Sequence, residues 1–133
     1  MTTPTTPDPT AAAASHRYLT AADSMLRGRG TLGSSAAAGG WWPKACACLI
    51  RLALETALDE YWHRTAPAVA AYGSGRTKLL LLRNRCDRAL VREATYAWGT
   101  LSQATHHHCY EIAPTHAELR RLHDSVTAVI GKL

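Results

Sequence analysis

Phenylalanine is absent, so the chain's aromatic bulk comes from four Trp and five Tyr. Each such ring carries an N–H or O–H that needs a partner wherever it is buried. Long apolar runs are missing as well. None approaches the roughly 20 residues of a bilayer span, which excludes a helical membrane protein and predicts no membrane partner. The amino end lacks the basic and apolar regions of a secretory signal, so a cytoplasmic location with reduced thiols is expected. No segment reads as a strand. Cys-x-x-Cys, His-x-x-x-His and Gly-x-Ser-x-Gly patterns do not occur, which weighs against a zinc centre and a serine hydrolase. Acids are few: Asp and Glu number 10 against 15 Lys and Arg, a net charge of +5 that favours anionic partners.

What is present reads as helices. Residues 1–14, rich in Thr, Pro and Ala, lack the apolar content of a core and are expected to be a disordered tail. The folded domain then runs from 15 to 133. Ser15 suits an N-cap, followed at helical spacing by Tyr18, Leu19, Ala22, Met25 and Leu26. Residues 29–40 form a Gly/Ser/Ala linker. Pro43 suits a helix's first turn, and Leu49, Leu52, Ala53, Thr56, Ala57 and Tyr61 carry an apolar stripe widened by Ile50, Leu54 and Leu58. Arg51 and Glu55 stand at i, i+4, a modest helix-supporting pair. Cys46 and Cys48 point to different faces.

Pro67 and Tyr72–Gly75 predict a loop, with a third helix from Thr77. Leu79–Leu82, apolar on every side, implies that this helix is buried. Between Asp87 and Thr105, Leu90, Ala94, Ala97, Trp98 and Leu101 make a core stripe, while Arg88, Arg92, Gly99, Ser102 and His106 occupy another face. Thr115-His-Ala-Glu118 has capping-box spacing and opens a last helix with Leu119, Leu122, Val126, Val129 and Ile130 inward. The fold class is all-α, a four- to five-helix bundle. A folded unit of roughly 95 residues is small for a self-standing core, so a homodimer is expected.

Two clusters carry candidate chemistry. Arg76, Lys78, Arg83, Arg85, Arg88 and Arg92 fall in one run whose single acid is Asp87. It reads as a solvated helix face or as a nucleic-acid surface, with Arg83, Arg85, Arg88 and Arg92 the candidate nucleic-acid contacts. His106, His107 and His108, followed by Cys109, stand at a helix carboxyl end, where the dipole favours positive charge. A histidine there acts as acid or base, holds a phosphate, or caps free carbonyls. Successive residues splay by about 100°, so the three histidines do not share one role. A zinc site would draw on His106, His108 and Cys109 with His116 or His123, but adjacent positions suit a tetrahedral centre poorly, and no metal or other cofactor is assigned.

Leu101-Ser102-Gln-Ala-Thr-His106 resembles the end of the long helix in HEPN domains, and Arg51-Leu-Ala-Leu-Glu55 looks like a signature frequent in them. The resemblance follows helix order over roughly residues 16–130. It implies an all-α dimer in which an Arg–polar–x–His motif from each copy meets at one RNA-cleaving site. Ser102 and His106 are the positions it carries over as catalytic, in a metal-independent ribonuclease. Leu101 stands in the arginine's place, so the charge opposing the phosphorane would come from Arg92, another basic-run residue or Arg120. The implied setting is an RNA-directed toxin–antitoxin or phage-defence module, with an antitoxin or defence protein as partner. The alternatives are a non-catalytic interaction scaffold and a small zinc-binding regulator.

Overall fold

The computed structural model describes residues 9–28, 42–106 and 113–133. They form six α-helices and one 3-10 turn: α1 (Pro9–Leu26), α2 (Trp42–Thr65), α3 (Pro67–Tyr72), α4 (Gly75–Leu81), the turn Leu82–Asn84, α5 (Arg88–Thr105) and α6 (His116–Lys132). The described residues are all-α. The count exceeds the expected four to five because one short helix, α3, occupies the expected loop, whereas α4 is the helix expected from Thr77, starting at Gly75. Pro67, with its fixed φ and missing N–H, stands at the first turn of α3. Ser74 caps α4, its Oγ accepting from the Thr77 N–H. α1 starts at Pro9 rather than Ser15, so Pro9–Ala14 belong to a helix and not to the tail.

α2 packs against every other α-helix, α6 packs on α1, α2 and α5, and α1 and α5 lie on opposite flanks of that central pair. The core face of α2 is Cys46, Ala47, Ile50, Ala53, Leu54, Ala57, Leu58 and Trp62. Leu52, expected in the stripe, is 41% exposed, because the face centres on Ile50 and Leu54 instead. Small residues let α1 approach α2 closely, with Ala22, Ala47 and Ala53 fully buried. Ser15, inside α1 rather than at its end, donates to the Ala53 carbonyl at 3.0 Å. Trp62 answers the partner requirement of a buried indole: its Nε1–H donates to the Lys78 carbonyl at 3.1 Å and so ties α4 to α2.

One face of α6 clamps α1. His116 Nε2–H donates to the Leu26 carbonyl at 2.7 Å and His123 Nε2–H to the Leu19 carbonyl at 2.9 Å. A carbonyl only accepts, which puts each proton on Nε2. Leu26 ends α1, so His116 satisfies a carbonyl with no partner further along the helix. Gly28, at φ 67°, provides the left-handed residue that closes the helix. Between the two histidines, Arg120 pairs with Asp23 at 2.8 Å.

The hydrogen bond from Arg120, assisted by the charge of Arg27 and opposed by desolvation, holds the Asp23 carboxyl below its ordinary 3.8. A depressed carboxyl stabilises the fold above the unfolded-state pKa and ceases to do so as pH falls through the folded value. Stability should therefore drop as pH falls below about 4, by up to about 1 kcal/mol for this partly exposed pair. Arg120→Ala should lower the urea midpoint at pH 7 and flatten that part of the acid profile. An unchanged profile would show that Asp23 does not contribute to the acid sensitivity.

The capping box at α6 forms as expected. Thr115 accepts from the Glu118 N–H and the Glu118 carboxylate accepts from the Thr115 N–H. Leu119, Leu122, Val126 and Val129 are buried. No helix among the described residues is long and apolar enough to cross a membrane.

Candidate nucleic-acid interface

α5 displays one continuous exposed stripe. Arg88, Arg92, Tyr96, Gly99, Gln103 and His106 recur every three or four residues, which at 100° per residue keeps them within about 40° of a common line. Arg88, Arg92, Tyr96, Gln103 and His106 are exposed. Gly99 adds no side chain, and the space above it is open. The opposite face of the helix is core, with Leu90, Val91, Ala94, Ala97, Leu101 and Ala104 buried.

The amino-terminal half of the stripe forms one wall of an open groove of about 1280 Å³. α4 and the 3-10 turn form the other, contributing Arg76, Leu80, Arg83 and Asn84. Four arginines therefore line one trough, Arg76, Arg83, Arg88 and Arg92, and no acid among the described residues lines it. The ion pairs among the described residues use other cations: Arg27, Arg51, Lys78, Arg120 and His123. The fully buried leucine stretch anticipated for this segment is split. Leu79 and Leu82 are buried, whereas Leu80 turns into the groove, 52% exposed. A seven-residue helix on the bundle's rim has an outer side whatever its composition.

Of the arginines anticipated from the sequence, Arg83, Arg88 and Arg92 share the groove, joined by Arg76. Arg85 stands outside its lining and lies over the Trp62 ring, 5.6 Å from its centroid. Its charge meets the ring's negative face, a use that the run of basic residues does not reveal.

Ser102 and His106 stand one turn apart at the far end of α5. The His106 backbone N–H donates to the Ser102 carbonyl at 3.1 Å. The Ser102 Oγ is buried with no hydrogen-bond partner among the described residues. No hydrogen bond joins the two side chains there. Leu101, in the place of the motif arginine, is fully buried in the core. His107, His108 and Cys109 lie outside the described residues.

A cation nevertheless reaches this end from another helix. Arg51 of α2 donates through Nη1 to Thr105 Oγ1 at 2.9 Å and through Nε to Glu55 at 2.8 Å. Its guanidinium also lies 5.9 Å from the Trp98 ring centroid. Trp98 in turn donates to Glu55 at 3.2 Å and packs beside Gly75, where an added Cβ would sit 3.4 Å from the ring. The Arg51–Glu55 pair thus locks α2 to α5 instead of serving one helix alone. Sequence spacing reveals the pair but not Trp98 or Thr105, which join it only through the fold. Arg120, considered for this role alongside Arg92 and the other basic-run residues, is engaged by Asp23 on the α1 side.

No group of three His, Cys, Asp or Glu residues suited to holding a metal ion occurs among the described residues. Cys46, Cys48 and Cys86 are free thiols. Burial raises the Cys46 pKa to about 11, and its thiol donates to the Ala22 carbonyl at 3.8 Å. With Cys48, Cys86 and Cys109 changed to Ser, the remaining thiol should resist a disulfide reagent at pH 8 until urea unfolds the chain. Immediate labelling would show that α1 does not stay on α2. No protein-family model, curated protein or solved structure matches the chain.

Proposed function

We propose that the protein binds RNA along the exposed stripe of α5, with the strand's phosphates in the arginine groove and the strand directed toward His106. One observation carries this reading: four arginines line a single trough with no opposing acid among the described residues, and its wall continues in register to the histidine. At 1.5 Å per residue, His106 lies roughly 10 Å along the axis beyond Gly99, a distance that a few nucleotides bridge. In an HEPN-like protein of an RNA-directed toxin–antitoxin or phage-defence module, His106 would be the base for a 2′-hydroxyl. Ala97, Leu101 and Ala104 are committed to the chain's own core. A dimer through α5 would therefore draw on its exposed residues, among them Gln103 and His106.

Incubating the purified protein with total cellular RNA in EDTA tests both parts. Retention of RNA that is lost in Arg88→Glu/Arg92→Glu supports the binding reading. Cleavage that persists in EDTA and disappears in His106→Ala adds metal-independent catalysis. RNA that is neither retained nor cut would leave a helical interaction module.

A further inference from the structure

The groove holds more than positive charge. The large hydrophobic side chains exposed among the described residues are Leu52, Tyr72, Leu80 and Tyr96, and the last two both line this trough. Tyr96 is 71% exposed, one turn after Arg92 and two after Arg88 on the same helix face. Its ring has no aromatic partner among the described residues, whereas Trp42, Tyr61 and Trp62 each have one. Trp98 also lines the trough, but Arg51, Glu55 and Gly75 already occupy its ring and N–H. Asn84 and Thr95 add an amide and a hydroxyl to the lining.

We infer that the groove is a single-strand site in which an unpaired base stacks on Tyr96 while Arg88 and Arg92 hold the adjoining phosphates. This rests on the RNA-binding reading and narrows it. Each four-residue step along α5 rises about 6 Å, comparable to one nucleotide of an extended strand, so cation, cation and ring follow the strand in order. Aromatic platforms flanked by basic residues take any base, because every base has a π face. A duplex keeps its base faces stacked inside and offers Tyr96 nothing beyond phosphate. Leu80 extends the apolar floor on which a splayed base rests, and Asn84 can bond a base edge.

The test is fluorescence anisotropy with four labelled probes of equal length: a single-stranded oligoadenylate RNA, its DNA counterpart, an RNA duplex and an abasic single strand. The wild-type chain should bind the oligoadenylate on the order of tenfold more tightly than the duplex or the abasic strand. Tyr96→Ala should remove that advantage and leave duplex affinity unchanged, while Tyr96→Phe retains it. Tyr96 is exposed, so both variants should fold, which circular dichroism would confirm. Equal affinity for the oligoadenylate and the abasic strand, or indifference to Tyr96→Ala, overturns the stacking site but leaves RNA binding standing. Failure of every probe to bind overturns both. Tighter binding of the DNA strand keeps the stacking site and moves the ligand from RNA to single-stranded DNA.

Discussion

Leu101→Arg is expected to unfold the bundle. Leu101 is fully buried within the core cluster that α5 shares with α1, α2, α4 and α6. An arginine there is too large for the site and carries a charge with no partner, which costs roughly 3–5 kcal/mol or more. Domains of this size have about 5–15 kcal/mol in total. The variant should lose its cooperative urea transition and most of its helical circular dichroism at 25 °C. A native-like melting curve would mean that the side chain escapes to solvent, and that the register of α5 differs from the one described. The consequence for the HEPN resemblance is direct. In the HEPN-like reading proposed above, an arginine in the motif's place would not be tolerated, so any cation serving His106 would come from another position. Arg51 bonds to Thr105, the residue before His106.

The second large effect is electrostatic. Reversing Arg88 and Arg92 to Glu replaces two cations of the groove with two anions. Hydrogen bonds to charged groups contribute about 1.5–3 kcal/mol each, so losing two phosphate contacts should weaken RNA binding on the order of a hundredfold or more. Both side chains are exposed and stand outside the ion pairs of the described residues, so stability should change little. Arg85→Glu is the internal control. Its guanidinium lies over Trp62 and outside the groove lining, so its effect on binding should be smaller than that of either groove arginine.

Local signals in the sequence correspond closely to the local parts of the structure. Thr115 and Glu118 report their own capping box, because both partners lie within one turn. The separation of Arg88, Arg92, Gly99 and His106 from the core stripe follows from helical periodicity alone. The short helix α3 does not emerge that way, since fewer than two turns hold too little pattern to distinguish from a loop. Leu80 is misjudged for a related reason: its exposure depends on where α4 sits on the bundle, not on its neighbours in sequence. The polar joints are the least legible. Arg51 meets Thr105, and His123 meets the Leu19 carbonyl, only after the helices have packed. The second wall of the groove likewise comes from a segment that precedes α5 and is folded back beside it.

The groove's assignment to RNA is tested by the salt dependence of binding to a single-stranded RNA, measured for the wild-type chain and for Arg88→Glu/Arg92→Glu. With four guanidiniums each neutralising one phosphate, log K should fall with log salt at a slope of about −3, taking roughly −0.7 per phosphate on a single strand. The double variant should bind far more weakly and with a markedly shallower slope. Binding with no salt dependence, or with the same slope in both proteins, would contradict the assignment of this groove to RNA.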